Sequence, residues 1–377
     1  MVKINSPLAF AIAAITHLGT THASPPSISP APKHHIRSNG HGSHNHGCPP
    51  LNRGSFAIDY FQLYAENADW DEASCLVWFG SVWNATVAIY DPYTDTMLDV
   101  LSFPGTSYTG TIHIGGVARD PHTGLITILT DSARPWETAG ADVSGDHLLM
   151  KYSPYSKKIL WTLNITAVTR GRYGAFQDVE HDKRGNTYVV GTFPGTVMRA
   201  DREGRAVGPW YLPEPFPNTT TRWGFSGLAA VGGESEVLLA NDGDGRLYRF
   251  DMREAEGRPV LVPTTPEVLY TGQDAIYLPP MYGGRVLLVA SHDNGIQVLR
   301  SRDRTWRTAE NLGLIPSPTG GLYEGGFAVA PVQIGSDAVY LVDLFWDTPW
   351  VPGTVAGNRS LFPMKDITSD VERLLRG

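Results

Sequence analysis

The sequence predicts an all-β protein: a six-bladed β-propeller of four-stranded antiparallel blades, its ring closed by an N-terminal strand. Three observations predict it. Forty Gly and 28 Pro among 377 residues make the chain turn often and leave little room for long helices. From Ser55 onward short β-rich runs alternate with Gly, Pro and Asp turns, and no amphipathic helix separates them, which excludes a parallel βαβ sheet. The runs recur in units of four at a spacing of about 45 residues, and sheets of that kind bury their faces only by stacking radially. A β-sandwich is the rival architecture at this length. With 42% hydrophobic and 10% aromatic residues the chain is too apolar for a disordered protein, and two Cys are too few for a disulfide-held scaffold. A net charge of −8 argues against a nucleic-acid partner.

Taken in chain order, residues 1–23 read as a secretory signal, with Lys3 at the start, an apolar run from Leu8 to Ile15, and small residues before Ser24. That run is too short to span a bilayer, and no membrane span is expected elsewhere. Residues 24–50 read as a disordered Pro/His-rich linker whose His34, His35, His41, His44 and His46 have an opportunistic affinity for metal. Cys48 and Cys75 are candidates for one disulfide, and Asn84, Asn164, Asn218 and Asn358 head glycosylation sequons. Together these place the protein in the secretory pathway, either exported or held in endoplasmic-reticulum-derived vesicles.

Residues 51–377 read as a single propeller domain. Phe56 to Phe61 is the expected outer strand of the last blade. Gln62 to Phe103 holds the first unit. The second runs from His113 to Leu163, the third from Asp178 to Leu212, the fourth from Gly227 to Val262 and the fifth from Asp274 to Glu310, its outer strand expected at Trp306 to Glu310. Gly325 to Ala330 and Ala338 to Phe345 form a last pair. Ser369 and Glu372 match a capping box, so a short terminal helix is expected.

The repeat sorts polar residues by face. In an up-and-down blade the turns after the first and third strands lie on one face, and Asp91, Asp120, Asp182 and Asp201 fall there, where turn chemistry explains them. The other face gathers Glu66, Asn67, His113, Gln177, Asp178, Ser226, Gln273, Asp274 and Glu324 near inner-strand entries. Asp131, Asn241, Asp242, His292, Asp293 and Asp343 follow second strands. Trp70, Trp83, Trp136, Tyr173, Phe193, Trp223, Tyr282, Tyr323 and Trp346 accompany them. Convergence of acids, imidazoles and rings at a channel mouth reads as a pocket in which crowded carboxylates acquire raised pKa values. Phosphate loops, dinucleotide fingerprints and HExxH are missing from the sequence, and Gly224-Phe-Ser226-Gly-Leu lacks the context of a nucleophile elbow. Oxygen ligands at the channel would suit calcium or magnesium, although no ligand spacing specifies a metal.

Four phrases carry a family resemblance: Ala88-Ile-Tyr-Asp-Pro-Tyr-Thr-Asp95, Leu98-Asp-Val-Leu-Ser-Phe-Pro-Gly-Thr106, Thr111-Ile-His-Ile-Gly-Gly-Val-Ala118 and Leu125-Ile-Thr-Ile-Leu-Thr-Asp-Ser132. They resemble the fungal trichothecene biosynthesis cluster protein fourteen family, and the likeness runs across the whole region after the linker. At fold level the chain is also similar to gluconolactonases. The resemblance implies a part in making sesquiterpenoid mycotoxins, as a cyclase that closes the pyran ether ring of an isotrichotriol-like small molecule. That reaction needs a general acid at a leaving allylic hydroxyl, a base at the attacking hydroxyl and a cup that folds the substrate, but no cofactor. The repeat argument assigns proton transfer to His113, Asp242, His292 and Glu324. It assigns substrate binding to Glu66, Trp70, Asp131, Gln177, Trp223, Asp274, Tyr282, Tyr323 and Trp346. A monomer is expected. A non-catalytic secreted virulence or scaffold protein and a metal-dependent hydrolase stay open as alternatives.

Overall fold

Strand runs such as Val286-Leu-Leu-Val-Ala-Ser291 are apolar without a break because both faces of each sheet are covered. Val286, Leu288 and Ala290 pack toward one neighbouring sheet, whereas Leu287 and Val289 pack toward the other. A computed structural model describes residues 47–377 and shows the result, six antiparallel sheets arranged around an axis. The secretory signal and the His-rich part of the linker lie outside the described residues.

Blade one comprises β2 (Ala65–Asp71), β3 (Leu76–Ser81), β4 (Thr86–Asp91) and β5 (Thr96–Leu101). Blade two has β6 (Ile112–Arg119), β7 (Ile126–Ser132), β8 (Leu148–Ser153) and β9 (Lys158–Asn164). Blade three has β10 (Gly174–His181), β11 (Thr187–Phe193), β12 (Thr196–Ala200) and β13 (Ala206–Tyr211). Blade four has β14 (Phe225–Val231), β15 (Glu236–Asn241), β16 (Arg246–Asp251) and β17 (Val260–Leu261). Blade five has β19 (Gln273–Tyr277), β20 (Val286–Ser291), β21 (Gly295–Arg300) and β22 (Ala309–Pro316), and β18 (Thr264–Thr265) adds a fifth strand parallel to β22. Blade six is β23 (Gly326–Ile334), β24 (Ala338–Phe345) and β25 (Leu361–Asp366), with β1 (Phe56–Asp59) hydrogen-bonded along β25 as its outermost strand. Each innermost strand touches the next, and β23 returns to β2. A separate apolar cluster fills each gap between blades.

Three expectations are corrected. The outer strand of blade five starts at Ala309 rather than Trp306, because Trp306 is a fully buried turn residue whose indole N–H donates to the Gly284 carbonyl at 3.0 Å. Blade six has a third strand, β25, after the excursion from 346 to 360. The terminal helix (Thr368–Arg376) forms without a capping box, because its N-cap is Ile367 and Ser369 lies inside the first turn. Cys48 and Cys75 form a disulfide, so the end of the expected linker is structured. Among the described residues no helix is long and apolar enough to cross a membrane.

Candidate functional site

All six inner strands slip register at equivalent places, and the bulges there re-aim side chains. Glu66 occupies the bulge of β2, Gln177 that of β10 and Asp274 that of β19. These bulges lie near the ends at which the chain enters its inner strands, here called the upper face. The Glu66 carboxyl is acted on by acids of three other blades. Burial first, and then the charges of Asp274, Asp131 and Asp178 from three other blades, push its pKa well above the ordinary carboxylate range. Glu66 therefore holds its proton more tightly than an ordinary carboxyl.

Two imidazoles on other blades are tuned in opposite directions. Burial depresses His113 to about 4, and the charge of Asp131 only partly offsets this, so the ring is neutral at physiological pH. His292 holds Asp274 through an Nε2–Oδ2 contact of 2.7 Å. Burial opposes charge on His292, but that hydrogen bond and the charges of Asp274 and Asp242 outweigh it and raise its pKa. Asp242 is raised to about 6 by burial, against the pull of His292 and the Gly272 N–H, which donates to it at 2.6 Å.

Aromatic rings wall the upper mouth. From His113 the contacts run to Trp83 (5.3 Å between centroids), Trp346 (4.5 Å), Phe327 (6.4 Å) and His292 (5.3 Å). Trp136, Phe193 and Trp223 form a second cluster, with Phe193 and Trp223 at 4.7 Å. Asp131 sets that wall. Fully buried, it accepts from the Trp136 indole at 2.8 Å and the Phe176 N–H at 3.0 Å, and it pairs with His147. It braces the mouth rather than facing a ligand.

The sequence-based site is thus gathered in part. Glu66, His113, Gln177, Asp242, Asp274, His292, Trp223 and Trp346 belong to the upper half of the channel, and half-buried Tyr323 lies in the turn leading into β23. Trp70 does not join them. It lies at the far end of β2 and packs near Tyr93 of the lower turns, because an extended strand carries residue 70 well below residue 66. Tyr282 lies in the connection between β19 and β20, on the lower face, beside Glu372 of the terminal helix. Glu324 is exposed on the loop before β23, where its carbonyl accepts from Arg359. Phe327 was missed because nothing local distinguishes it from an ordinary strand residue. The turn aspartates behave as expected: Asp91, Asp120, Asp182 and Asp201 accept from backbone N–H groups two residues on. Of the sequons, Asn164, Asn218 and Asn358 are exposed, whereas the Asn84 amide donates to the Gln62 carbonyl and Thr86 is buried.

Below these bulges lies a cavity of about 290 Å³ lined from Asn67 and Asp178 to the exposed Glu72, Pro121 and Pro280. Among the described residues no three His, Cys, Asp or Glu side chains are grouped so as to hold a metal ion.

No protein-family profile matches the sequence. The chain is 33% identical over 347 residues to trichothecene biosynthesis protein 14 of Trichoderma arundinaceum, covering 88% of this chain and 92% of the relative. The chain belongs to the trichothecene biosynthesis protein 14 family. Core trichothecene cluster protein 14 of Fusarium sporotrichioides is 29% identical, over 87% of this chain and 88% of its own length. Among solved structures, the major Malassezia sympodialis allergen Mala s 1 aligns with a TM-score of 0.68 at 18% identity, over 83% of this chain and 96% of that one. A Xanthomonas campestris gluconolactonase aligns at 0.50 and 14% identity, over 86% and 96%. Identities this low place the protein 14 family among six-bladed propellers and say nothing about its chemistry.

Proposed function

We propose that this protein acts in trichothecene biosynthesis as a cofactor-independent cyclase that closes the pyran ether ring of an isotrichotriol-like sesquiterpenoid. The observation that carries the reading is the opposite tuning of two groups near the inner-strand entries of neighbouring blades, Glu66 raised well above the ordinary carboxylate range and His113 depressed to about 4. Protonated Glu66 donates to the allylic hydroxyl, the C–O bond breaks and water leaves. A second substrate hydroxyl adds across the alkene to form the ether C–O bond, and its proton passes to His113. The sum is loss of one water with no change in oxidation state. Trp83, Trp346 and Phe327 offer ring faces to the developing allylic cation. The Asp274–His292 pair, with Asp242 behind it, orients the remaining hydroxyls. The family relatives named for trichothecene biosynthesis support the substrate class. The Cys48–Cys75 disulfide supports passage through an oxidising compartment.

The test is incubation of purified protein with the hydroxylated precursor, read by mass spectrometry for loss of water. Glu66→Gln and His113→Phe are each expected to lower kcat by about 10²–10⁴, whereas Asp201→Ala, in an exposed lower turn, leaves it unchanged. Activity should fall below about pH 4 as His113 gains a proton, and it should fall as rising pH removes the proton that Glu66 holds above the ordinary carboxylate range. Ligand binding without turnover in the wild type would instead make the protein a binding module.

A further inference from the structure

Residues of all six blades line the chamber below the Glu66 bulge, and it opens on the lower face, where the turns that carry Glu72, Pro121 and Glu234 lie. At about 290 Å³ it stands at the small end of ligand cavities, which span roughly 300–1,000 Å³. Five carboxyl groups belong to its wall: Asp69 and Glu72 from blade one, Asp178 and Glu180 from blade three, and Glu234 from blade four. Arg119, the cation among the lining residues, is already ion-paired with Asp71. Glu234 contacts His122. The wall therefore carries more negative than positive charge, spread from ceiling to opening.

The inner acids latch backbone and still have acceptor capacity. Each oxygen of Asp69 takes one N–H, from Trp70 at 2.8 Å and Arg119 at 2.6 Å. Asp178 takes those of Val179 and Leu228 at 2.8 and 3.2 Å, and Glu180 those of His181 and Ala230 at 2.7 and 2.9 Å. A carboxylate oxygen accepts two hydrogen bonds, so one position on each stays open. Burial raises Asp69 to about 6 even with Arg119 nearby, and burial with the charges of Asp69 and Glu234 raises Glu180 to about 7. A cation inside the chamber would restore their charged forms. A second, independent observation comes from Asn67 at the ceiling. Its side chain is 7% exposed, and Oδ1 accepts from the Val117 N–H at 3.0 Å, but its amide NH2 has no acceptor among the described residues. A buried donor left in that state is stabilised by a ligand oxygen.

We propose that this chamber is a second binding site, for one small aliphatic amino alcohol whose oxygen accepts from the Asn67 amide and whose ammonium group sits among the carboxylates of Asp69, Glu180 and Glu234. The open acceptor positions take the three ammonium N–H groups, and Glu72 at the opening draws the cation in. None of these side chains takes part in the ring closure proposed above, so the inference holds or fails apart from it.

Saturation-transfer NMR titration of the full chain with aminobutanol tests it, with butanediol as the uncharged comparison. Saturable binding of the amine is expected, and none of the diol. Glu72→Gln/Glu234→Gln should weaken it at least about fivefold. These two carboxylates lie in lower-face turns and carry none of the inner-strand latches, so the variant keeps its fold. Glu254→Gln/Glu256→Gln, which removes the same charge from the exposed outer loop of blade four, should leave binding unchanged, as should Trp223→Ala at the upper mouth. The proposal is overturned if the amine does not saturate, if butanediol binds as tightly, or if both double variants weaken binding equally, which would mean surface charge alone. It also falls if Trp223→Ala weakens binding, which would put the amine at the upper mouth, or if calcium chloride displaces the amine at equal ionic strength more effectively than sodium chloride. Turnover measured on the Glu72→Gln/Glu234→Gln preparation reads the cyclase separately.

Discussion

Asp343 is buried in β24 with neither carboxylate oxygen hydrogen-bonded, and desolvation raises its pKa to about 7. Its folded-state pKa exceeds the unfolded value near 3.8. The native state therefore holds the extra proton, and the associated stability is present at low pH and lost as pH rises through about 7. Each pKa unit corresponds to about 1.4 kcal/mol, so this one group is worth on the order of 2–4 kcal/mol between pH 4 and pH 8. Asp343→Asn is expected to flatten the fall of stability with pH by that amount in urea melts at pH 5 and pH 8. An unchanged slope would show that the carboxyl finds a partner in solution. Nothing in the sequence marks Asp343 as different from Asp242, since both follow second strands. Only the folded structure, with Asp343 opposite Ala328 inside blade six, shows that one is isolated and the other neighbours His292.

At the scale of elements, blades are latched by side chains that reach the next inner strand at a constant offset. Asn67 to Val117, Asp69 to Arg119, Asp178 to Leu228 and Glu180 to Ala230 are each 50 residues apart. Such latches let inner strands approach closely, and glycine permits the tightest approach: a Cβ on Gly115 would lie 2.3 Å from the Phe176 carbonyl oxygen. Gly115→Ala must push blades two and three apart and is expected to cost about 1–3 kcal/mol in a denaturant melt. A neutral result would mean that the bulge can relax without moving the neighbouring strand. Strand runs and turn aspartates were legible in the sequence because alternation and turn chemistry are local. The bulges were not, because a register slip belongs to two strands at once, and with it went the central place of Glu66. Trp70 and Tyr282 were assigned to the wrong face for a related reason: nearness in sequence to Glu66 and Asp274 does not report which end of a strand a side chain occupies. The long excursion from 346 to 360 likewise hid β25.

For the molecule as a whole, blade six is assembled from both ends of the described chain, with β1 pairing Phe56 with Met364 and Asp59 with Leu361. The segment before β1 is itself tied across two blades. Cys48 is bonded to Cys75 in the β2–β3 turn of blade one, the Leu51 N–H donates to Asp337 of blade six at 2.8 Å, and Arg53 pairs with Asp95 of blade one at 2.8 Å. The disulfide closes a loop of 27 residues and so keeps β1 at hand for the pairing with β25 that completes blade six. Removing a disulfide that closes such a loop costs about 3–4 kcal/mol by the loop-entropy account. If the bond acts only on the unfolded chain, Cys48→Ser/Cys75→Ser would raise hydrogen exchange evenly across all blades. If it guards the closure, exchange should rise first at Ile58 and Met364 while β10 to β16 stay protected at the global level, because opening blade six exposes one pair of strands and leaves the other sheets paired. The second pattern is expected, read by mass spectrometry of peptides covering 55–60 and 361–366.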